Sequence, residues 1–211
     1  MNKILETLEA EREELADWRH DFHMHPELGL EETRTAGIVA QKLRSWGIEV
    51  TEHVGVTGVV GVINGDLGPG RSIGLRCDMD ALPITECSSQ SWKSTVKGKM
   101  HACGHDGHLA VGLGVAQWIK DHADQLCGKI KLVFQPAEEG TRGARPMAES
   151  GILDDVDFIV CTHIGSSVPL HQVAVCTHGY LATTKLDIYF EGVPAHAGAN
   201  PEKGRSALMA A

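Results

Sequence analysis

The chain has 211 residues, 42% hydrophobic and 22% charged, a composition that excludes disorder as its main state and fits one domain or one domain plus the start of another. With 28 acidic against 19 basic residues its formal net charge is −9, which argues against nucleic acid as a partner, since a phosphate backbone needs a basic footprint. It contains no run of about 18 apolar residues, so no membrane partner is expected. Its opening stretch lacks the h-region and cleavage site of a secretory signal, which points to a cytoplasmic protein.

In chain order, residues 2–20 set Ile4, Leu5, Leu8, Leu15 and Trp18 among Glu and Arg at the spacing of an amphipathic surface helix, broken by His25-Pro26. Residues 31–46 predict a second helix. Glu31 and Glu32 load its first turn, Ile38, Val39, Leu43 and Trp46 form its stripe, and Gly47 is its C-cap candidate. Short β-like runs follow at 48–54, 58–63 and 72–76, separated by the turn signals Asn64-Gly65 and Gly68-Pro69-Gly70. The stretch 84–100 is polar and loop-like. Residues 106–122 read as a helix with Leu109, Leu113, Ala116 and Ile119 on one face, and 129–134 as a short apolar strand ending at Gln135-Pro136. A helix is expected at about 143–150, and 158–162 reads as a second buried strand. This alternation predicts an α/β sheet covered on both faces. After about residue 180 the pattern changes. Residues 184–190 alternate, Gly192-Val193-Pro194 turns, and Pro201-Glu202 leads into a helix that reaches Ala211 without a cap, as a truncated chain would. The six cysteines, at 77, 87, 103, 127, 161 and 176, lack the close pairing of a zinc knuckle or CxxC motif. Reduced and mostly buried thiols are expected, Cys103 excepted.

Three clusters fall where strands end, the place where open α/β sheets put their sites. Arg76-Cys77-Asp78-Met79-Asp80 sets two carboxylates two apart, suited to orienting a ligand or binding a metal, or simply to turn chemistry. His101-Ala102-Cys103-Gly104-His105-Asp106-Gly107-His108 packs three His, one Cys and one Asp into eight residues. Thiolate and imidazole are preferred ligands of zinc-like ions, and a bend at Gly104 could turn Cys103 and His105 toward one ion. Asp106 is a candidate N-cap for the next helix. In Gln135-Pro136-Ala137-Glu138-Glu139-Gly140 one acid could ligate a metal while its neighbour shuttles protons. His163, after the 158–162 run, is a further ligand candidate. Cys, His and carboxylate ligands beside a free carboxylate base suit metal-assisted hydrolysis. No H-E-x-x-H occurs, and the H-x-E with P-C-x-x-C pattern of zinc deaminases is missing.

CDMDALP, MHACGHDGH, FQPAEEG, CTHIG and PAHAGANPE, in this order, resemble the aminoacylase and carboxypeptidase-G type metallopeptidase family, in its amidohydrolase branch of hippurate and auxin-conjugate hydrolases. The resemblance runs over essentially the whole chain. It implies a zinc-exopeptidase-like mixed sheet flanked by helices over residues 1–183, with an inserted α+β lid and dimerisation domain beginning near residue 184. It implies Cys103, His105, Glu139 and His163 as metal ligands, with Cys103 bridging two ions, Mn2+ or Zn2+. Glu138 matches the general base and Asp80 an acid behind the ligands. His196 matches a lid residue that steadies the oxyanion in a partner's active site. Asp78 stands where other branches have a His ligand. The activity implied is cleavage of the amide of an N-acyl amino acid, with p-aminobenzoyl-glutamate as the first substrate and hippurate-like or indole-acetyl conjugates as alternatives. A homodimer or hetero-oligomer is implied. Family members run to almost double this length, so a last His ligand and part of the pocket are expected to be missing. The chain alone is then expected to be inactive or nearly so, and the competing reading is a non-catalytic metal-binding fragment.

Overall fold

Three parallel strands end at one edge of a mixed sheet and create the place where the chemistry-bearing residues gather. In this computed structural model, which describes residues 3–140, 142–175 and 186–211, they are β3 (Ser72–Asp78), β4 (Lys129–Gln135) and β5 (Phe158–Cys161). β3 lies in the middle, with Asp78 opposite Gln135 and Arg76 opposite Cys161. β1 (Glu49–Val54) and β2 (Gly58–Asn64) form an antiparallel hairpin, and β2 pairs antiparallel with β4. The sheet order is β1-β2-β4-β3-β5. The chain leaves β3 for β4 on one side and crosses from β4 to β5 on the other, so the ends of these strands form a topological switch point.

The period-two alternation of the strands builds two cores. Val59, Ile63, Cys77, Leu132 and Phe134 pack with Phe22 of α2 (Arg12–Met24), Val39, Ala40 and Leu43 of α3 (Thr33–Ser45) and Leu109, Leu113 and Ala116 of α4 (His105–Asp121). Val54, Val60 and Val133 pack instead with Met147 of α5 (Ala144–Glu149). Leu43, Leu109, Leu113, Leu132 and Phe134 are at most 2% exposed, and each contributes about 1.5–3 kcal/mol through apolar area removed from water. The mixed sheet with flanking helices agrees with the sequence reading.

Several boundaries differ from expectation, each for a local reason. The opening amphipathic stretch is two helices, α1 (Lys3–Ala10) and α2, separated at Glu11. α3 starts later than predicted because Glu27 caps it from outside: its carboxylate accepts the N–H groups of Arg34 (3.0 Å) and Thr35 (2.7 Å). Gly47, at φ +70°, follows its C-terminus as expected. β5 is not buried. Phe158, Ile159 and Val160 are 42–47% exposed at the sheet edge, because nothing among the described residues pairs with its outer side. Among the described cysteines only Cys77 is buried; Cys87, Cys127 and Cys161 are exposed and Cys103 is half-buried.

The chain divides into two compact units, residues 1–166 and 167–211. In the second, a bridge pairs Val193 with Arg205, a 3-10 turn covers Pro201–Lys203 and α6 covers Ala207–Ala210. The predicted long final helix is therefore a turn and a short helix, and residues 186–190 form no strand. The expected start of a lid at residue 184, like Cys176, lies outside the described residues. No described helix is long and apolar enough to cross a membrane.

Candidate metal centre

Each strand end delivers one part of the site. Asp80 follows β3, Glu138 and Glu139 follow β4, and His163 follows β5. Cys103 and His105 arrive from the N-terminus of α4, where Gly104 at φ +91° makes the bend between them. That left-handed backbone is open to glycine at little cost. Ligand atoms of Cys103, His105 and His163 lie within 4.8 Å of one another, as do those of His105, Glu138 and Glu139, and those of Asp78, His105 and His108. All four sequence-predicted ligands are thus in one neighbourhood.

Hydrogen bonds decide which ring nitrogens are free. His105 Nδ1 donates to the Asp80 carbonyl at 2.8 Å and sits 3.3 Å from Asp80 Oδ1. Its Nε2 is left buried and without a partner, 4.0 Å from Glu138 Oε2. His163 Nδ1 donates to the Ile164 carbonyl at 2.8 Å, and its Nε2 faces Cys103 Sγ at 3.5 Å. Holding Nδ1–H in a hydrogen bond and leaving Nε2 bare is how proteins orient imidazoles toward a metal. Glu139 Oε1 is likewise buried without a partner. An orphaned buried imidazole nitrogen and an orphaned carboxylate oxygen beside a thiol fit a divalent ion. His108 is different. Its Nε2 accepts the Ile164 N–H at 3.2 Å, which turns Nδ1–H toward Asp78 Oδ2 at 3.6 Å. Asp78 also pairs with Arg76 at 2.6 Å. His108 Nδ1 nevertheless makes no hydrogen bond, and His108 and Asp78 form with His105 a further candidate ion-binding group.

The electrostatics follow the geometry. Burial pushes the Cys103 thiol up to about 12, reinforced by its hydrogen bond with Glu139 and by the charges of Glu139, Glu138 and Asp78. Burial would raise Asp80, but the hydrogen bonds from His105, Glu139 and Glu138 outweigh it and hold the carboxyl below its ordinary value. Burial would lower His105, yet Asp80 and Asp78 raise it. His101, buried and with both ring nitrogens unpartnered, is pushed down to about 4 by burial.

Asp80 ties the pieces together: its Oδ2 accepts the Glu139 N–H at 2.9 Å while its backbone carbonyl and Oδ1 face His105. Asp106 is not the helix cap predicted for it. Gly104 occupies that position, and Asp106 Oδ2 accepts from Arg19 (3.0 Å) and meets His23 Nδ1 at 2.9 Å. Sequence reasoning missed this anchor, and it missed Glu32. That carboxylate, 0% exposed, is not spent on a helix dipole; it accepts the Ala137 N–H at 2.8 Å and the Thr57 hydroxyl at 2.6 Å. Burial raises it, against the lowering effect of those bonds.

His196 belongs to the second unit. Its Nδ1 accepts the N–H groups of Gly198 and Ala199, both at 3.1 Å. Its proton therefore resides on Nε2, and the exposed ring presents a donor.

A mixed sheet with a Cys, His and carboxylate cluster at its parallel strand ends defines a metallopeptidase-type site. The model of peptidase family M20/M25/M40 matches residues 74–209, and the chain belongs to that family. It is 40% identical over 245 aligned positions to the indole-3-acetyl-aspartic acid hydrolase of Enterobacter agglomerans, covering 94% of this chain and 56% of that one. It is 41% identical over 244 positions to a p-aminobenzoyl-glutamate hydrolase subunit of Escherichia coli K12, covering 93% of this chain and 56% of that one. Among solved structures, the YXEP protein of Bacillus subtilis, described as a dinuclear metal binding peptidase, matches at a TM-score of 0.73 and 37% identity over 77% of this chain and 46% of that one. The chain spans about half the length of the curated relatives it matches.

Proposed function

We propose that this chain is the metal-binding part of a metal-dependent amidohydrolase that cleaves an aromatic acyl group from an acidic amino acid, with p-aminobenzoyl-glutamate as its first substrate. The observation that carries the reading is the convergence of Cys103, His105, His163, Glu138 and Glu139, with the Nε2 of His105 bare and buried. The substrate class draws on two relatives whose names give an aromatic acyl group joined to Glu or Asp. An indole-acetyl conjugate is the second reading, supported by the first of them. Residues 1–183 are assigned to the catalytic part and 184–211 to the start of a lid. The Escherichia coli relative is by name one subunit of its hydrolase, which supports a second polypeptide as partner.

Cys103, His105, Glu139 and His163 would hold one or two divalent ions, Mn2+ or Zn2+, which when bound polarise a carbonyl and acidify a water. Glu138, the more exposed of the adjacent acids, takes the proton of the attacking water on its carboxylate and returns it to the leaving amine nitrogen. Asp80 keeps His105 and Glu139 aimed, its backbone carbonyl holding the Nδ1–H of one and its carboxylate the backbone N–H of the other. His196, with its proton on Nε2, would donate to the oxyanion in a partner subunit's active site.

The test is elemental analysis of the purified chain beside a Cys103→Ala variant, with release of p-aminobenzoate and of indole-acetate from the two conjugates assayed in parallel. The reading expects bound divalent metal that Cys103→Ala removes. It also expects that any hydrolysis is lost in Glu138→Gln while the metal stays. Metal retained in full without Cys103 overturns it.

A further inference from the structure

We propose that Glu32 is a positioning residue for the metal site: its buried carboxylate fixes the turn at Ala137 and thereby aims Glu139. The inference rests on the metal-site reading above. Three segments distant in sequence meet at this one side chain. Glu32 precedes α3, Thr57 lies in the β1–β2 turn, and Ala137 follows β4. Glu32 Oε1 accepts the Ala137 N–H at 2.8 Å and Oε2 accepts the Thr57 hydroxyl at 2.6 Å.

Ala137 is held at φ +53°, a left-handed conformation that costs a residue with a Cβ free energy and persists only where the surroundings impose it. Both of its backbone groups are tied: the N–H to Glu32, and the carbonyl to the Gly143 N–H at 3.0 Å. The reversal at Ala137 sends the next two residues back across the strand ends, where the Glu139 N–H meets Asp80. Without an acceptor at position 32, a buried N–H in a strained turn would be orphaned, and the turn would relax to find another partner. Glu139 would move with it. Cys103, His105 and His163 are held by other contacts and would stay.

Co2+ alone is the probe, because its absorption reports thiolate ligation by Cys103 separately from overall affinity. Glu32→Met keeps most of the side-chain volume but offers no acceptor. It should weaken Co2+ binding by about tenfold to a hundredfold while the thiolate band remains at saturation. Glu139→Ala should weaken binding similarly, and the double variant should lose little more than either single one, since both changes act on one ligand. Glu32→Gln should stay within a few-fold of the parent: its one carbonyl oxygen can accept from Ala137, while the Thr57 hydroxyl turns to accept from the new amide. Additive losses in the double variant, undiminished affinity in Glu32→Met, or a loss in Glu32→Gln as large as in Glu32→Met would each overturn the inference. If Glu32→Met does not fold, Thr57→Val tests the clamp from its other end, and an unchanged Co2+ affinity there overturns it. A parent chain that binds no Co2+ would sink the metal-site reading itself.

Discussion

Metal binding through Cys103 should release a proton, and the structure gives the number. Burial and the neighbouring carboxylates push this thiol up to about 12. At pH 8, about four pH units below that midpoint, only about one thiol in ten thousand is ionised. The thiolate is the metal ligand, so an ion that binds there must displace essentially one proton. Apparent affinity should then rise about tenfold per pH unit as long as the thiol remains protonated in the free site. Cys103→Asp separates this proton from the others. An aspartate there is an anionic oxygen ligand that is already ionised at pH 8. Both chains share His105, whose raised value affects them alike, so the difference isolates the thiol. The assay is calorimetric titration with Zn2+ at pH 8 in buffers of different ionisation enthalpy, where the slope of heat against buffer enthalpy counts protons. The parent should release about one proton more than Cys103→Asp. Equal release from the two chains would refute the assignment of Cys103 as a ligand.

Two further outcomes test the scaffold. Phe134→Ala empties a side chain that is 0% exposed between β4 and α4 and should cost about 3–5 kcal/mol, read as a shift of the urea unfolding midpoint at unchanged m-value; a loss below 1 kcal/mol would contradict the packing described. Asp155 is held at about 2 by hydrogen bonds from Lys129 and Lys131. Its depressed value means that its contribution is present above the unfolded carboxyl value near 4 and is lost as pH falls from there through about 2. Asp155→Asn should therefore flatten the acid limb of stability in that window and leave the profile near neutral pH with the same slope, as followed by circular dichroism.

The sequence was most legible where local rules decide. Short apolar runs bounded by turn residues gave β2, β3 and β4 nearly to the residue, because a strand's apolar character and its bounding glycines are local properties. Cys103-Gly104-His105 was readable as a ligand pair for the same reason: the bend is chemistry of the glycine between them. β5 was misjudged as buried because burial depends on what lies beside a strand, and its apolar composition says nothing of that. The cysteines failed likewise, since Cys127 and Cys161 sit in exposed places that their type does not reveal. Asp106 was assigned to the nearest helix end by rule, whereas its partners Arg19 and His23 lie more than 80 residues earlier in the chain. A long-range charge pair leaves no periodic trace in a sequence.

Glu32 shows the same limit from the functional side. An acid at the start of a helix is accounted for by the dipole, so nothing prompts a search for another use. Yet Glu27, not Glu32, satisfies the N-terminal amides of α3, and that leaves Glu32 to turn inward. The division has a consequence for the metal site. His105 comes from the N-terminus of α4 and Glu139 from the segment after β4, and neither fixes the other's direction. Their common restraint is Asp80, whose backbone carbonyl holds a ring nitrogen of one and whose carboxylate holds the backbone N–H of the other. Glu32 supplies the matching restraint two residues upstream of Glu139. With two anchors on one side of the site and the backbone-bonded Nδ1 of His163 on the other, the ligand atoms are preset by side chains and carbonyls that do not themselves bind the ion. Metal affinity in this chain should accordingly depend as strongly on Asp80 and Glu32 as on the ligands they aim.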